Sequence, residues 1–258
     1  MISDRLYALA ETEGLFSERQ AGFRKGRGTE DQVLRVTQAV SDGFQRGERS
    51  VLTLLDFSKA YDTVWRQRLI LTLSSRGIPA SYTIWLSTFL SNRQARVRYH
   101  GVISKGRQIR QGLPQGSVLA PILFLFYIDE LARQIPENVT TAMYADDVSI
   151  LATAPTLTLA ESLAQKAVDV VVQWSKEWKL SLNASKSEAS FFTLSTQEAK
   201  WRPSIDVEGK KIAYNPEPRF LGVILDRSLC FGPHVQHVKA KAAPKLAMLR
   251  AVANTDWG

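Results

Sequence analysis

The stretch Thr140-Thr-Ala-Met-Tyr-Ala-Asp-Asp-Val-Ser-Ile-Leu-Ala152 decides the fold, because it contains two short apolar strands around a polar turn. Thr140–Tyr144 and Val148–Ala152 have the pattern of paired strands, and Ala145-Asp146-Asp147 joins them. Neighbouring residues in a strand point to opposite faces, so both aspartates serve one site only if a turn carries them. Aspartates in turns also cap backbone groups. The hairpin alone therefore leaves a structural and a functional interpretation open.

A third aspartate ends another apolar strand. Ser50-Val-Leu-Thr-Leu-Leu-Asp56 is almost continuously apolar, which is typical of a buried strand. An ionised carboxylate there is costly unless a cation or another group compensates it. Three carboxylates at the ends of central strands form an oxygen-only site that suits Mg²⁺. Two such ions about 3.5–4 Å apart are the recurrent device of phosphoryl transfer.

The positive charge of the chain is concentrated between Asp56 and the Asp146–Asp147 turn. The protein has 258 residues and a net charge of +8, but Thr63 to Ile128 contains no Asp or Glu. That block contains nine basic residues, so the rest of the chain is close to neutral. Blocks of one sign attract polyanions, which favours nucleic acid as the partner. A basic surface that only maintains solubility is the alternative.

Composition excludes several other classes of protein. With 45% hydrophobic and 22% charged residues, the chain is globular rather than disordered. The single cysteine, Cys230, cannot form an intramolecular disulfide or a Cys-rich zinc site. The longest apolar run, Val118 to Ile128, is too short to span a membrane, and the N-terminus lacks the apolar core of a signal peptide. We therefore expect an intracellular protein with no membrane partner.

The remaining patterns predict helices between the strands. Helices are expected near 3–13, from 30, over two amphipathic segments around 65–73 and 79–90, to about 134, over 157–178 and from 232. Arg96-Val97-Arg98-Tyr99 predicts a half-buried strand with a cationic face, and short strands are expected near 188–193, 204–214 and 220–225. Because hairpins occur among these strands, the predicted fold class is α+β with an antiparallel sheet flanked by helices.

The loop Gln111-Gly-Leu-Pro-Gln-Gly-Ser117 precedes the most apolar helix. Gly112 and Gly116 permit close approach of the backbone, and Ser117 is expected to cap the helix. Gln115 is a neutral donor and acceptor that suits a base, a sugar or a phosphate. The alternative is an ordinary loop leading into a helix.

Six segments, taken in order, resemble the reverse transcriptases, and in particular those of non-LTR retrotransposons. They are Gln20-Ala-Gly-Phe-Arg-Lys-Gly-Arg-Gly-Thr-Glu-Asp-Gln32, Leu55-Asp-Phe-Ser-Lys-Ala-Tyr-Asp-Thr-Val64, Gln111-Gly-Leu-Pro-Gln-Gly-Ser-Val-Leu-Ala-Pro121, Ala142-Met-Tyr-Ala-Asp-Asp-Val148, Leu182-Asn-Ala-Ser-Lys-Ser-Glu188 and Phe220-Leu-Gly-Val-Ile-Leu-Asp226. A lone Tyr-Ala-Asp-Asp string would be weak support, whereas six motifs in the order of the family are specific.

The resemblance implies a role for each matching residue. The metal-binding residues would be Asp56, Phe57, Asp146 and Asp147, which would hold two Mg²⁺ ions, with Mn²⁺ as a substitute. Lys186 would act near the leaving pyrophosphate, with a solvated lysine as the alternative. Tyr61 would exclude a 2′-hydroxyl, with a core aromatic as the alternative, and Gln115, Gly116 and Arg24 would contact the nucleotide or template. Nucleic acid would be bound by Arg93, Arg96, Arg98, Arg110, Leu221 and Gly222.

By the same resemblance, the partners are an RNA template, a DNA primer and deoxynucleoside triphosphates, and the protein resides in the nucleus. The chain divides into partial fingers (1–50), palm (51–64), a basic insertion (65–110), palm with a primer-grip hairpin (111–226) and the start of a truncated thumb (227–258). We expect weak or no polymerisation by this chain alone. Gly28 and Ala120 replace residues that are more common in the family.

Two other functions stay open at this stage. An RNA-templated RNA polymerase would share the palm, but it needs a small or polar residue in place of Tyr61. A non-catalytic remnant would bind nucleic acid in a salt-sensitive way without incorporating nucleotides. We treat the RNA-directed DNA polymerase as the leading hypothesis.

Overall fold

A computed structural model describes residues 2–253 of the chain. Its helices are α1 (Ile2–Thr12), α2 (Thr29–Gln45), α3 (Ala60–Thr63), α4 (Arg66–Ser75), α5 (Ala80–Leu90), α6 (Ala120–Gln134), α7 (Leu157–Glu177) and α8 (Gly232–Val252), with a 3₁₀ turn at Gln197–Lys200. Its longer strands are β1 (Arg49–Leu55), β6 (Thr140–Tyr144), β7 (Asp147–Ala154) and β8 (Glu188–Phe192). The two-residue strands are β2 (Gln94–Ala95), β3 (Arg98–Tyr99), β4 (Val102–Ile103), β5 (Arg107–Gln108), β9 (Asp206–Val207), β10 (Lys210–Lys211), β11 (Ala213–Tyr214), β12 (Arg219–Phe220) and β13 (Val223–Ile224).

The central sheet has five strands in the order β11-β8-β1-β7-β6. All neighbours are antiparallel except β11, which runs parallel to β8. The strand predicted to be buried, β1, lies in the middle of this sheet. Helix α6 precedes the hairpin of β6 and β7 in sequence, and α7 connects that hairpin to β8. Helices therefore alternate with a mostly antiparallel sheet, and the fold is α+β, as predicted.

The apolar run of β1 is explained by burial on both faces. Val51 and Leu55 belong to the large core on one face, together with α6 and α7, whereas Leu52 packs in a smaller cluster on the other face. That smaller cluster also includes Val36 and Val40 of α2. Because both faces are covered, the strand needs an apolar side chain at nearly every position rather than at alternate positions.

Helix α6 is the apolar centre of the large core. Its side chains from Ile122 to Ile128 are almost completely buried, which accounts for the longest apolar run of the sequence. The fully buried Asp129 near its end is compensated by the Arg76 guanidinium at 3.2 Å and by the Ser17 N–H at 2.6 Å. Across residues 2–253, no helix is both long and apolar enough to cross a membrane.

Four local predictions were wrong in detail. The segment 96–99 is exposed rather than half-buried, and only Arg98 and Tyr99 lie in a strand, β3, which pairs with β4. Helix α5 begins at Ala80, with Pro79 as its N-cap residue rather than its first helical residue, and Leu119 rather than Ser117 is the N-cap of α6. The Ser117 hydroxyl still accepts the Ala120 N–H at 3.2 Å. Finally, 204–214 is divided into three strands, because a tight turn at 208–209 separates β9 from β10 and residue 212 separates β10 from β11.

Candidate active site

The two adjacent aspartates lie where the hairpin of β6 and β7 turns. Tyr144 pairs with Asp147, so Ala145 and Asp146 form a two-residue loop. Ala145 has a φ of 57°, in the left-handed region that such a tight turn requires. The turn therefore changes the direction of the chain between Asp146 and Asp147, as the sequence pattern requires for a shared site.

Asp56 reaches the same edge of the sheet from β1. Leu55 pairs with Val148, and the same register places Asp56 beside Asp147. The backbone of Asp56 is held from the other side, because its N–H donates to Ser187 Oγ at 3.1 Å and its carbonyl accepts the Asn183 N–H at 2.8 Å. The loop after α7 thus holds Asp56 against the hairpin.

The three carboxylates interact electrostatically. Burial raises the pKa of Asp146, and the charge of Asp56 raises it further, while a hydrogen bond from its own backbone N–H lowers it. The pKa of Asp147 is raised by burial and then by the charges of Asp146 and Asp56. Mutual repulsion of this kind is relieved when a cation is present.

The donor set fits a divalent cation by its chemistry. It consists of carboxylate oxygens that repel one another, which are the preferred ligands of Mg²⁺. Among residues 2–253, however, no three His, Cys, Asp or Glu side chains are gathered into a cluster that would hold a metal ion. Phe57, predicted as a fourth metal-binding residue, is buried, and its backbone pairs with Leu182.

A cavity of about 160 Å³ gathers several of the predicted site residues. Asp56, Asp147 and the exposed Lys186 line it, together with Leu221 of the hairpin of β12 and β13. The loop of that hairpin, Leu221 and Gly222, has φ values of 47° and 95°, as in a type I′ turn. Glu188 and Arg219 also line the cavity, although no sequence motif had assigned them a role there.

Tyr61 lies on the other side of the aspartates, on the short helix α3. Its ring stacks on Phe124 of α6 at 4.4 Å, with an angle of 17° between the planes. Burial raises the pKa of Tyr61, and the charge of Asp146 raises it further. Within the described part of the chain, its buried hydroxyl has no hydrogen-bond partner. Tyr61 is therefore a rigid, half-buried ring close to Asp146.

The loop with Gln115 is anchored to the segment that carries Tyr61. The Leu113 N–H donates to the Tyr61 carbonyl at 2.8 Å, and the Gln115 amide donates to the Asp62 carboxylate at 2.8 Å. Gly112 has a φ of 79°, and a Cβ there would lie 2.5 Å from the Asp62 carbonyl oxygen. The close approach predicted for Gly112 is therefore present, whereas a Cβ on Gly116 would point into open space.

Arg66 fixes the far end of this loop. Its guanidinium donates to four backbone carbonyls, at 2.7 to 2.9 Å, namely those of Gly112, Leu90, Ile109 and Gln111. Burial lowers the pKa of Arg66, and the neighbouring Arg93 lowers it further. Arg66 belongs to the basic block of the sequence, but its hydrogen bonds are internal.

The segment before α2 holds the Asp146 turn through hydrogen bonds, a contact that the sequence did not predict. Gln20 is fully buried; its side-chain oxygen accepts the Ala145 N–H at 2.9 Å, and its amide nitrogen donates to the Ala145 carbonyl at 3.1 Å. A Cβ on Gly22 would lie 2.2 Å from Ala145 N, so only glycine fits there. The segment from Gln20 to Gln32 was identified as a motif in the sequence, but its residues did not indicate that it contacts the turn before Asp146.

Arg24, in the same segment, does not face the aspartates. Its side chain is only 3% exposed and pairs with Glu11 at 2.7 Å. It also donates to the Ser17 and Gln20 carbonyls, at 2.8 and 3.1 Å. This placement does not support the predicted contact with nucleotide or template, because the guanidinium is used to join α1 to the loop before α2.

The basic block divides into internal and exposed residues. Arg66 and Arg76 bind backbone or carboxylate groups within the fold. Arg96, Arg98 and Arg110 are exposed, and Arg93 is half-buried, so these four predicted nucleic-acid contacts remain accessible. We name the segment from Gln94 to Gln108 the basic arm. It contains β2 to β5, and every one of its residues is exposed.

Known proteins resemble this chain over most of its length. The family model described as reverse transcriptase (RNA-dependent DNA polymerase) matches residues 1–225. The chain is 30% identical over 260 residues to the probable RNA-directed DNA polymerase from transposon BS of Drosophila melanogaster, a match that covers 98% of this chain and 28% of that protein. It is 29% identical over 255 residues to the RNA-directed DNA polymerase from mobile element jockey of the same species, covering 96% and 27% respectively.

The fold has a counterpart among solved structures. A telomerase from Candida tropicalis, truncated from the C-terminal domain and solved in the apo state, superposes with a TM-score of 0.61 and 10% identity, over 88% of this chain and 43% of that one. The chain therefore belongs to the reverse transcriptase family. It spans less than a third of the length of the transposon relatives described above.

Proposed function

We propose that this chain is the catalytic core of an RNA-directed DNA polymerase from a non-LTR retrotransposon. The observation that carries the proposal is the meeting of Asp56 with the Asp146–Asp147 turn at one edge of the sheet, beside Lys186 and the Leu221 hairpin. The family membership and the transposon relatives support the same function.

In this proposal, Asp56, Asp146 and Asp147, with Phe57, would hold two Mg²⁺ ions, for which Mn²⁺ would substitute. Bound divalent ions would supply activation of the primer hydroxyl and neutralisation of the leaving pyrophosphate. The protein's part is to bring the three carboxylates together at one place, where a bound cation would favour their charged forms. The support for this assignment is that the pKa values of Asp146 and Asp147 are raised, first by burial and then by the charges of the neighbouring aspartates.

The neighbouring residues would position the substrates. Tyr61 would restrict the space beside the sugar of a deoxynucleoside triphosphate, since its ring is fixed by Phe124. Gln115 and Gly116 would contact the nucleotide. Lys186 would carry a positive charge near the departing pyrophosphate, on the wall of the cavity that it shares with Asp56 and Asp147.

Nucleic acid would lie along the basic surface. Arg93, Arg96, Arg98 and Arg110 would bind phosphates of the RNA template and the DNA primer, while Leu221 and Gly222 would shape the turn at the primer end. Binding of this kind is independent of sequence and weakens with salt. We assign residues 1–50 to partial fingers, 51–64 and 111–226 to the palm, 65–110 to the basic insertion and 227–258 to the start of the thumb. A retrotransposon polymerase that copies RNA at chromosomal DNA would act in the nucleus, and we propose the same location for this protein.

Primer extension tests the proposal directly. The chain is incubated with an RNA template, a DNA primer, deoxynucleotides and Mg²⁺, beside the variant Asp146→Ala. We expect weak, template-directed extension that disappears in the variant. Extension of equal size in the variant would contradict the proposal. Salt-sensitive binding with no incorporation by either protein would indicate a non-catalytic remnant instead.

A further inference from the structure

An aromatic pair lies on the outer surface of helix α5, away from the aspartates. Trp85 and Phe89, one helical turn apart, stack at 5.4 Å with an angle of 7° between their planes. Phe89 packs on the large core, so it gives Trp85 a firm base. Trp85 itself stays 42% exposed, and among residues 2–253 no other aromatic ring contacts it. A large exposed ring held in one orientation is suited to stack on a further flat group.

The pair continues into the basic surface. The Arg93 guanidinium lies 5.3 Å from the centre of the Phe89 ring, and the basic arm begins at the next residue. Arg93 and Gln94 also line an open cavity of about 480 Å³ that includes Gln115. A path of adjacent groups therefore runs from Gln115, past Arg93, to the Phe89 and Trp85 rings.

The chemistry of this path favours nucleic acid over protein. Trp85 and Arg93 lie within the block from Thr63 to Ile128, which contains no acidic residue. Arg96, Arg98 and Arg107 are exposed on the adjoining arm, so the local charge complements a polyanion. A ring face in a basic groove binds a base only if that base is unstacked from its neighbours, which is the state of a single strand.

We propose that Trp85 is a stacking platform for a base of the single-stranded RNA template, with Phe89 as its support and Arg93 as the phosphate-binding residue beside it. This inference rests on the proposed function for the identity of the strand. The charge pattern did not assign this contact. The energy of stacking does not depend on salt in the way that the energy of phosphate contacts does, so the two can be measured apart.

Binding in the absence of catalysis tests the platform. Fluorescence anisotropy with a labelled single-stranded RNA of about 12 nucleotides, in EDTA and at several salt concentrations, compares the unaltered chain with Trp85→Ala. We expect about tenfold weaker binding, or 1.4 kcal/mol, with an unchanged dependence on salt. Arg93→Ala should instead flatten the salt dependence by about one unit.

Three controls separate stacking from other effects. Trp85→Phe should recover most of the affinity because it keeps an aromatic face, and Ile84→Ala, which alters an exposed neighbour on the same helix, should bind within about twofold of the unaltered chain. A fully paired RNA duplex should bind equally well to the unaltered chain and to Trp85→Ala. Circular dichroism confirms that the variants are folded.

Several results would overturn the platform. One is that Trp85→Ala binds single-stranded RNA as tightly as Ile84→Ala does. Another is that Trp85→Ala loses as much affinity for the duplex as for the single strand. The third is that Trp85→Ala no longer self-associates in sedimentation but still binds the single strand with full affinity. Binding that depends on Trp85, without primer extension by the unaltered chain, would support the platform while contradicting the polymerase proposal. The two proposals therefore fail separately.

Discussion

The side-chain amide of Gln20 bonds to both backbone polar groups of Ala145, the residue before Asp146. The two residues are 125 positions apart, and the Gln20 side chain is fully buried. The same side-chain oxygen also accepts the Gly22 N–H at 2.8 Å. A single glutamine thus ties the segment before α2 to the turn that carries the aspartates, and it satisfies backbone groups that a tight turn leaves unpaired.

Gln20→Leu should reduce primer extension by about ten- to a hundredfold, because small displacements of catalytic groups have effects of this size. The loss should appear mainly in kcat, since Gln20 contacts the turn and not the nucleotide. Gln32→Leu is the matched control: Gln32 is equally buried, and its side-chain oxygen has no hydrogen-bond partner within residues 2–253. Steady-state kinetics and thermal unfolding of both variants provide the comparison. An equal loss of kcat in the two variants would contradict a specific role for Gln20.

Tyr61→Ala should increase the incorporation of ribonucleotides relative to deoxynucleotides, because it removes the ring that Phe124 fixes near Asp146. Tyr61→Phe should leave the selectivity unchanged, since the Tyr61 hydroxyl has no hydrogen-bond partner in the described chain. Single-nucleotide extension with each class of nucleotide measures the ratio. A preference of the unaltered chain for ribonucleotides would favour an RNA-templated RNA polymerase.

Arg66→Lys should destabilise the protein by about 1–3 kcal/mol, although it keeps the charge. A lysine cannot reproduce the planar set of donors that reaches the four carbonyls at the base of the basic arm. Arg110→Lys, at an exposed position, should change the stability by less than about 0.5 kcal/mol. Urea unfolding compares the two. Equal effects would mean that Arg66 acts only through its charge.

Asp146→Asn should raise the Tm at pH 7 in EDTA while it abolishes extension. The pKa of Asp146 is raised by burial and by Asp56, so the folded chain binds this proton more tightly than the unfolded chain does. The charged form therefore lowers the free energy of unfolding at neutral pH, and this penalty fades as the pH falls through the raised pKa.

Thermal unfolding at pH 7 and pH 4 checks the sign of this effect, because the advantage of the asparagine should shrink at the lower pH. Millimolar Mg²⁺ should reduce the difference at pH 7, since the ion would stabilise only the unaltered carboxylates. A lower Tm for Asp146→Asn at pH 7 in EDTA would show that the carboxylate stabilises the fold instead.

Periodicity and turn signals were sufficient for the main sheet. The apolar run before Asp56 and the hairpin around Asp146 are local patterns, and the three strands that they predict, β1, β6 and β7, are present. The expectation for 96–99 was wrong because alternation of residue types does not report burial. Val97 and Tyr99 stay 70% and 73% exposed, so neither side chain joins the core.

The roles of long side chains were harder to predict. Arg24 was assigned to the nucleotide or template on the basis of its motif, yet its guanidinium bonds to backbone carbonyls within the fold. Arg66, a member of the basic block, likewise bonds to backbone carbonyls. Which carbonyls lie within reach depends on the packing of segments distant in sequence. The same holds for Gln20, whose target is fixed by the tertiary structure alone.

The pairing of the segment before α2 with β6 has a consequence for solubility as well. Strand β6 lies at the edge of the sheet, where unpaired backbone groups invite the addition of strands from other molecules. Met143 instead donates to the Arg19 carbonyl and accepts from the Ala21 N–H, at 2.8 and 3.0 Å. The stretch that steadies the aspartates therefore also shields part of an aggregation-prone border.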